Sequence, residues 1–257
     1  MNNSSKGRKF LKYVGKCQST NLLIKEGYRA GHLAHGDALF TDSQEAGHGQ
    51  RGRIWYEEKG RNLALSILLT KIPPRFRDTV LLNICLTVAV HEAISTVAPV
   101  KIKWPNDILF QDRKLAGILI ESSFKGNELD FMVIGVGLNI GTRHFPPFKP
   151  EACSLHTIGA KEEDVATWAV RIYDTVKRNL STITAEELQN YYKKNFYSRG
   201  VYQVFKDLRK KIFLAAAPQG IDESGRLILK FADGRQEAYQ HGEIEWIFDS
   251  WSNDEGA

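Results

Sequence analysis

Apolar positions in this chain change spacing several times, and each change marks an element. Ser19-Thr20-Asn21 precedes Leu22-Leu23-Ile24, a hydroxyl and amide cap that opens a short helix ending near Gly27 or Gly31. Gly36 to Thr41 predicts a strand, and a loop rich in glycine and charge runs from Asp42 to Asn62. Leu63 to Thr70 is apolar without a break, as in a buried strand, and Thr79 to Val97 is apolar on most faces, as in a buried helix. Val100 to Trp104, Ile108 to Gln111, Leu115 to Ser122 and Leu129 to Val136 follow as four β segments in close succession, which predicts a mixed sheet.

Val165, Trp168, Ala169, Ile172, Tyr173, Val176 and Leu180 share one helical face, so an amphipathic helix begins at about Glu162. Thr184 with Glu187 forms a capping box opening another helix. Past Gly200 the pattern becomes short β segments broken by glycines: Val201 to Phe205, Lys211 to Ala217, Leu227 to Phe231, Glu237 to His241 and Ile244 to Ile247. That is the signature of a small barrel. The expected organisation is α+β: residues 1–197 as a central mixed β-sheet flanked by helices, 198–248 as the barrel, and 249–257 as a polar, disordered tail.

A chain of 257 residues can hold such a large domain and a small appendage. Its 42% hydrophobic and 25% charged content suits a soluble protein, and no apolar run nears the roughly 18 residues of a membrane span. Met1 to Gly7 is polar and lacks the apolar core of a secretory signal, which predicts a cytoplasmic protein with no membrane partner. Cys17, Cys85 and Cys153 are odd in number and far apart, so neither a disulfide framework nor a zinc site is expected. A net charge of +5 admits nucleotides, nucleic acid or an acidic protein and selects none of them; the basic residues gather in Lys6 to Lys12, Arg51 to Arg61, Lys71 to Arg77 and Lys206 to Lys211.

Candidate chemistry concentrates in four segments. Lys103-Trp104-Pro105-Asn106-Asp107, then Lys114-Leu115-Ala116-Gly117, set charge beside apolar strand, where an unpaired polar group costs about 1–3 kcal/mol. Gly47-His48-Gly49-Gln50-Arg51-Gly52 satisfies G-x-G-x-x-G literally. The charged Arg53-Ile54-Trp55-Tyr56-Glu57-Glu58-Lys59-Gly60 that follows is not the helix a dinucleotide fold requires, and the kinase and P-loop signatures are absent. What remains is either a plain surface loop or one whose glycines bring backbone N–H groups to an anion, with Arg51 and Arg53 adding charge. Trp55 is a core residue or a cover for a ring. Gly135-Val136-Gly137-Leu138-Asn139 is a tight turn or a strand end open to close approach by a ligand.

Taken together and in order, these segments resemble the biotin protein ligase family. The resemblance runs through Ser19-Thr20-Asn21, Gln44 to Gly52 with Trp55, Asn62-Leu63 with Ser66, Lys103 to Asp107, Lys114 to Glu121 and Gly135 to Asn139, and covers about Phe10 to Asn195. It implies the class II synthetase-like biotin–lipoate ligase core and an SH3-like C-terminal domain. The family's larger members begin with a winged-helix DNA-binding domain, and the 18 residues before Ser19 are too few for one. The short, monofunctional class is therefore expected, with no DNA partner.

The resemblance implies an enzyme that joins biotin and ATP to biotinyl-5′-AMP, releasing pyrophosphate. It then passes biotin to a lysine of the biotin carboxyl carrier domain of acetyl-CoA carboxylase or a related carboxylase. By the same matching, the catalytic residues are Lys114, which contacts the α-phosphate and biotin, Asp107, which orients the acceptor lysine or takes its proton, and Arg51, which holds the acyl-adenylate. Ser19, Thr20, Asn21 and Gln44 meet biotin, with Gly47, His48, Gly49 and Gln50 closing over it and Gly117 beneath. Trp55, Asn106 and Asn139, with Gln44, Arg51 and Arg53, serve ATP. Mg2+ is expected to be held mainly by phosphates, without a dedicated cage. Sheet edges in this fold often pair, so a homodimer is allowed. One departure matters: His48 and Gln50 stand where the family commonly carries arginine, and Arg51 or Arg53 is expected to take over. A lipoate–protein ligase is the nearest alternative, and a non-enzymatic nucleic-acid-binding protein a remote one.

Overall fold

The computed structural model describes residues 10–248 except 77, 78, 127 and 162. The chain divides into two compact units, Met1–Asn195 and Phe196–Ala257, where the sequence suggested a boundary after Tyr197. The tail expected to be disordered lies outside the described residues.

The first unit is built on seven strands: β1 (Leu11–Tyr13), β2 (Ala38–Thr41), β3 (Asn62–Leu69), β4 (Val100–Lys103), β5 (Asp107–Phe110), β6 (Arg113–Lys125) and β7 (Glu128–Asn139). Their order is β1-β2-β3-β7-β6-β5-β4. β1 runs parallel to β2 and the other neighbours are antiparallel, so the sheet is mixed as expected. β1 escaped the sequence reading because it is three residues long and shows no buried stripe: Leu11 is half-buried and both Lys12 and Tyr13 are exposed.

Four helices dress this sheet: α1 (Thr20–Arg29), α2 (Thr79–Ser95), α3 (Val165–Thr182) and α4 (Ala185–Lys194). α1 starts where its cap predicts, with the Ser19 hydroxyl accepting from the Leu22 N–H at 3.4 Å. Its Ile24 enters a core with Leu39, Leu68, Phe131 and Val133. On β3 the alternate set, Leu63, Leu65 and Ile67, is buried as fully, and α3 packs on β2 and β3 beside α2. Burial on both faces explains the unbroken apolar run of β3. α3 begins three residues later than about Glu162, itself outside the described residues. Asp164 caps it, accepting from the Thr167 N–H at 2.7 Å. The Thr184–Glu187 capping box forms as predicted.

The second unit holds β8 (Gln203–Asp207), β9 (Ile212–Ile221), β10 (Leu227–Lys230), β11 (Gln236–Tyr239) and β12 (Ile244–Trp246) in the order β11-β10-β9-β8-β12, all antiparallel. β9 serves two partners: Ile212 to Ala216 pair with β8, and Ala217 to Ile221 with β10. One strand bending from one partner to another curls a small sheet towards a barrel around Phe205, Leu227, Leu229, Tyr239 and Trp246. The cations here have local partners. Arg209 and Lys210 pair with Asp207, Glu243 and Glu237, and Arg226 with Asp222.

Cys85 and Cys153 are buried, Cys17 is half-buried, and all three are free thiols. Among the described residues no helix is long and apolar enough to cross a membrane.

Candidate active site

One face of the sheet carries small residues where strands usually carry large ones. Gly117 on β6 pairs with Gly137 on β7, and Gly135, two residues back, pairs with Ser66 on β3. Two residues apart on a strand means the same face, so Ser66, Gly117, Gly135 and Gly137 form one floor. The missing side chains are replaced from above. A Cβ on Gly137 would overlap the Trp55 indole, one on Gly135 would lie 2.6 Å from Asn21 Oδ1, and one on Gly117 would lie 3.2 Å from both Lys114 Nζ and Trp55 Cζ3. The glycines are there for close approach.

Lys114 and Gly117 are three residues apart, so strict alternation would put them on opposite faces. A bulge reconciles them: Ile108 pairs with Ala116 but Leu109 pairs with Lys114, leaving Leu115 as the extra residue on β6. Lys114 is thereby returned to the face of Gly117 and Asp107. Its Nζ lies 2.6 Å from Asp107 Oδ1 and 5.5 Å from the centre of the Trp55 ring. Lys103, opposite Asp107 in the β4–β5 pair, reaches the other oxygen, Oδ2, at 3.3 Å. Burial pushes the Asp107 carboxyl up, but Lys114 and Lys103 together outweigh it and hold the group at about 2. Burial likewise pulls Lys103 below the ordinary lysine value, against the pull of Asp107.

Beside the glycine floor lies a chain of polar groups at the N-terminus of α1. Gln44 Oε1 accepts from the Thr20 N–H at 2.9 Å and from its hydroxyl at 3.3 Å. The buried Ser66 hydroxyl lies 2.7 Å from Thr20 Oγ1 and 2.5 Å from Asn21 Oδ1. Asn21 Nδ2 donates to Glu121 Oε2 at 2.7 Å, and Lys25 Nζ holds Glu121 Oε1 at 2.6 Å. Glu121 accepts only, which fixes the Asn21 amide with its oxygen towards Ser66 and Gly135.

The long loop folds over this floor. Its root is tied to the segment before α1 by a parallel bridge, Cys17 with Gln44. Its tip is a small hairpin: His48 bridges Ile54 around a 3-10 turn at Gln50–Gly52, and the Trp55 N–H donates to Gly47 O at 2.9 Å. Arg51 sits in the left-handed region, φ 59, and is exposed. Arg53 is also exposed, and its charge is felt by Lys103. Gln50 Oε1 and Trp55 Nε1 are buried without a hydrogen-bond partner. Orphaned groups of this kind beside a glycine floor mark a place for a ligand. Two residues past Trp55, Glu57 is half-buried, with both carboxylate oxygens shielded from water and neither completing a hydrogen bond. Burial pushes its carboxyl up to about 7, against the nearby Gln44 amide and with a further push from Asp42.

The remaining expected site residues sit at the edges. Ser19 uses its hydroxyl as the cap of α1. The Asn106 side-chain amide donates to Ile118 O, and the Asn106 backbone carbonyl accepts from the Ile118 N–H at 2.9 Å, binding the Pro105 turn to β6. Asn139 Nδ2 donates to Cys153 O at 3.0 Å and Lys114 O at 3.4 Å, holding the segment that crosses β6 at Lys114. Lys25 and Glu57 were not picked out as functional by the sequence, and Lys103, Glu121 and Ser66 only as parts of motifs. Asn21 and Lys25 are four apart on a helix and so share a face, a signal that could have found Lys25. Among the described residues no group of three or more His, Cys, Asp or Glu could hold a metal ion.

The sequence pattern of the Biotin/lipoate A/B protein ligase family matches residues 14–139. The Escherichia coli (strain K12) bifunctional ligase/repressor BirA is 32% identical over 237 residues, which cover 88% of this chain and 70% of that protein. The Mycobacterium tuberculosis biotin–[acetyl-CoA-carboxylase] ligase is 30% identical over 163 residues, 62% of this chain and 59% of that protein. Among solved structures, biotin protein ligase from Aquifex aeolicus in complex with biotin and ATP superposes with a TM-score of 0.76 at 26% identity, over 93% of this chain and 99% of that one. On these likenesses and this fold, the chain belongs to the biotin/lipoate A/B protein ligase family, among its biotin protein ligases.

Proposed function

We propose that the protein activates biotin with ATP and transfers it to a lysine of a biotin carboxyl carrier domain. The observation that carries this reading is the Lys114–Asp107 pair, 2.6 Å apart, set on a glycine floor beneath Trp55. Biotin's carboxylate and the α-phosphate are both anions, and their approach needs a fixed cation. Lys114 supplies it, as a preorganised charge aimed where negative charge develops. The carboxylate oxygen bonds to the α-phosphorus, the bond to the bridging oxygen breaks, and pyrophosphate leaves with that electron pair.

Thr20, Asn21 and Gln44 form the biotin end, a polar wall suited to a ureido ring, with Ser19 fixing the helix start and Gly47 to Gln50 closing above. The Trp55 indole, packed flat on Gly137, offers a surface to the adenine, bordered by Asn106 and Asn139. In the second step the acceptor amine bonds to the acyl carbon, the carbon–oxygen bond to phosphate breaks, and AMP leaves. Asp107 attracts the incoming ammonium. A carboxylate held at about 2 is a poor base, so it orients the lysine head group; one proton passes to solvent before attack, freeing the nitrogen lone pair, and a second passes to solvent as the tetrahedral adduct collapses. Among the described residues no cluster of His, Cys, Asp or Glu would hold a metal ion, so Mg2+ would be carried mainly by the phosphates of ATP, where it would supply charge neutralisation for the leaving pyrophosphate.

Incubation of the protein with ATP, a carrier domain and either biotin or lipoate tests this reading. Label from biotin is expected, because a site built for ureido hydrogen bonds rejects an analogue lacking them by about 10⁴–10⁵. Label from lipoate alone would overturn it. The packing of Trp55 on Gly137 makes its own prediction. Gly137→Ala drives a methyl into the Trp55 indole, and overpacking of this kind costs about 1–3 kcal/mol. The expected result is an ATP KM raised by roughly ten- to a hundredfold with a smaller change for biotin, read from initial rates alongside Trp fluorescence.

A further inference from the structure

Asp107 is held by two lysines that differ in kind. Lys103 approaches Oδ2 at 3.3 Å from the neighbouring strand β4, and its side chain is 11% exposed. Lys114 approaches Oδ1 at 2.6 Å from the bulged end of β6, and its side chain is 29% exposed. Only Lys114 borders the Gly117 floor and the Trp55 ring. Lys114 is thus the lysine placed to turn towards an arriving phosphate, while Lys103 is packed in a strand pair that cannot follow it.

That difference creates a difficulty when the site fills. Once Lys114 is shared with a phosphate, Asp107 loses its closer partner while remaining almost wholly buried. A buried carboxylate stripped of compensation costs about 3–5 kcal/mol, and it avoids that cost by taking up a proton. A protonated Asp107 no longer attracts an ammonium group. The charged groups facing Asp107 are Lys103 and Lys114; those facing Lys103 are Asp107, Lys114 and, from the glycine loop, Arg53.

We infer that Lys103 is a positioning residue that keeps Asp107 anionic after Lys114 turns to the phosphate, so that the second step still finds a carboxylate to receive the acceptor amine. This role rests on the proposed function. It divides the pair of lysines between the two half-reactions: Lys114 serves adenylation, and Lys103 serves transfer by acting through Asp107.

The test separates the half-reactions in Lys103→Met and Lys103→Arg. Biotin-dependent ATP–pyrophosphate exchange reports the first, and single-turnover transfer from bound biotinyl-5′-AMP to a carrier domain reports the second, each across about pH 5.5 to about pH 9. In Lys103→Met transfer is expected to fall more than exchange and to gain an acid limb, losing about tenfold per pH unit below the raised Asp107 value. Lys103→Arg is expected to keep the wild-type profile. Transfer in Lys103→Met that parallels wild type at every pH, or exchange and transfer lowered by one common factor, would overturn the role.

A measurement on the unaltered protein covers the case in which Lys103→Met does not fold. The ¹³C-carboxyl titration of Asp107, free and with biotinyl-5′-AMP bound, is expected to stay below about pH 4 in both states. Titration above about pH 5 in the bound state alone would show that Lys103 does not hold it. Absence of biotin-dependent exchange in the wild type would instead remove the functional reading, and this role with it.

Discussion

Lys114→Ala is expected to lower biotin-dependent ATP–pyrophosphate exchange by about 10²–10³-fold, the usual loss for one preorganised charge at a reacting centre. The loss should appear in kcat and kcat/KM together, because the charge is needed most where the two anions meet. Biotin binding alone should change little, since Thr20, Asn21 and Gln44 hold one another without Lys114. Lys114→Arg is not expected to restore the rate: a planar guanidinium cannot replace a compact ammonium in the gap between Gly117 and Trp55, where a Cβ on the glycine would already lie 3.2 Å from Nζ. A melting curve guards against misfolding. Exchange by Lys114→Ala within about threefold of wild type, in a folded protein, would remove the central chemical claim.

Glu57→Gln is expected to stabilise the protein in a pH-dependent way. The Glu57 carboxyl is raised from an ordinary 4.5 to about 7, chiefly by burial, so the folded state holds a proton that the unfolded state releases across that interval. The favourable contribution is fully present below about pH 4.5 and is lost as pH rises through about 7. Glutamine has the same shape and no charge to desolvate. At about pH 4 the two proteins should therefore melt together, and above about pH 7.5 the variant should be the more stable, by at most about 3 kcal/mol. A melting difference of equal size at both pH values would show that Glu57 is not buried as a neutral group. Because Glu57 lies two residues from Trp55, a loop that costs more to bury above neutral pH should also hold its ligand less firmly there.

The sequence was most informative where one local rule acts alone. Ser19 and Thr184 as caps required only the residues within four positions, and both α1 and α4 begin where those caps predict. The unbroken apolar run of β3 and the glycine-punctuated strands of the second unit were legible for the same reason. β1 was not, because three residues joined to β2 by backbone bonds leave no side-chain pattern to read.

The site was legible as a set of residues and not as a geometry. Alternation counted from Gly117 puts Lys114 on the wrong face, and only the bulge at Leu115 corrects it, a feature set by pairing with a strand several residues away. Nor does the chain announce that Lys25 and Glu121, 96 positions apart, meet at 2.6 Å to orient Asn21. Trp55 illustrates a third kind of difficulty. A tryptophan beside a glycine-rich loop reads equally as core or as cover, and its actual place depends on two glycines on different strands, Gly117 and Gly137, that lie opposite each other only once β6 and β7 are paired.

The Ser66 hydroxyl has one hydrogen and two acceptors within reach, Thr20 Oγ1 at 2.7 Å and Asn21 Oδ1 at 2.5 Å. When that hydrogen points to Asn21, the Ser66 oxygen is free to accept from Thr20. When it points to Thr20, the Thr20 hydrogen turns to Gln44. The two arrangements differ by hydroxyl rotation alone, with every heavy atom in place. The wall therefore behaves as a reversible socket: in the first setting Gln44 Oε1 is relieved of the Thr20 hydroxyl, in the second Asn21 Oδ1 is relieved of Ser66, and the Thr20 hydrogen is engaged in both. A ligand N–H can select which of the two oxygens receives it through hydroxyl rotation alone, without waiting for the backbone to move.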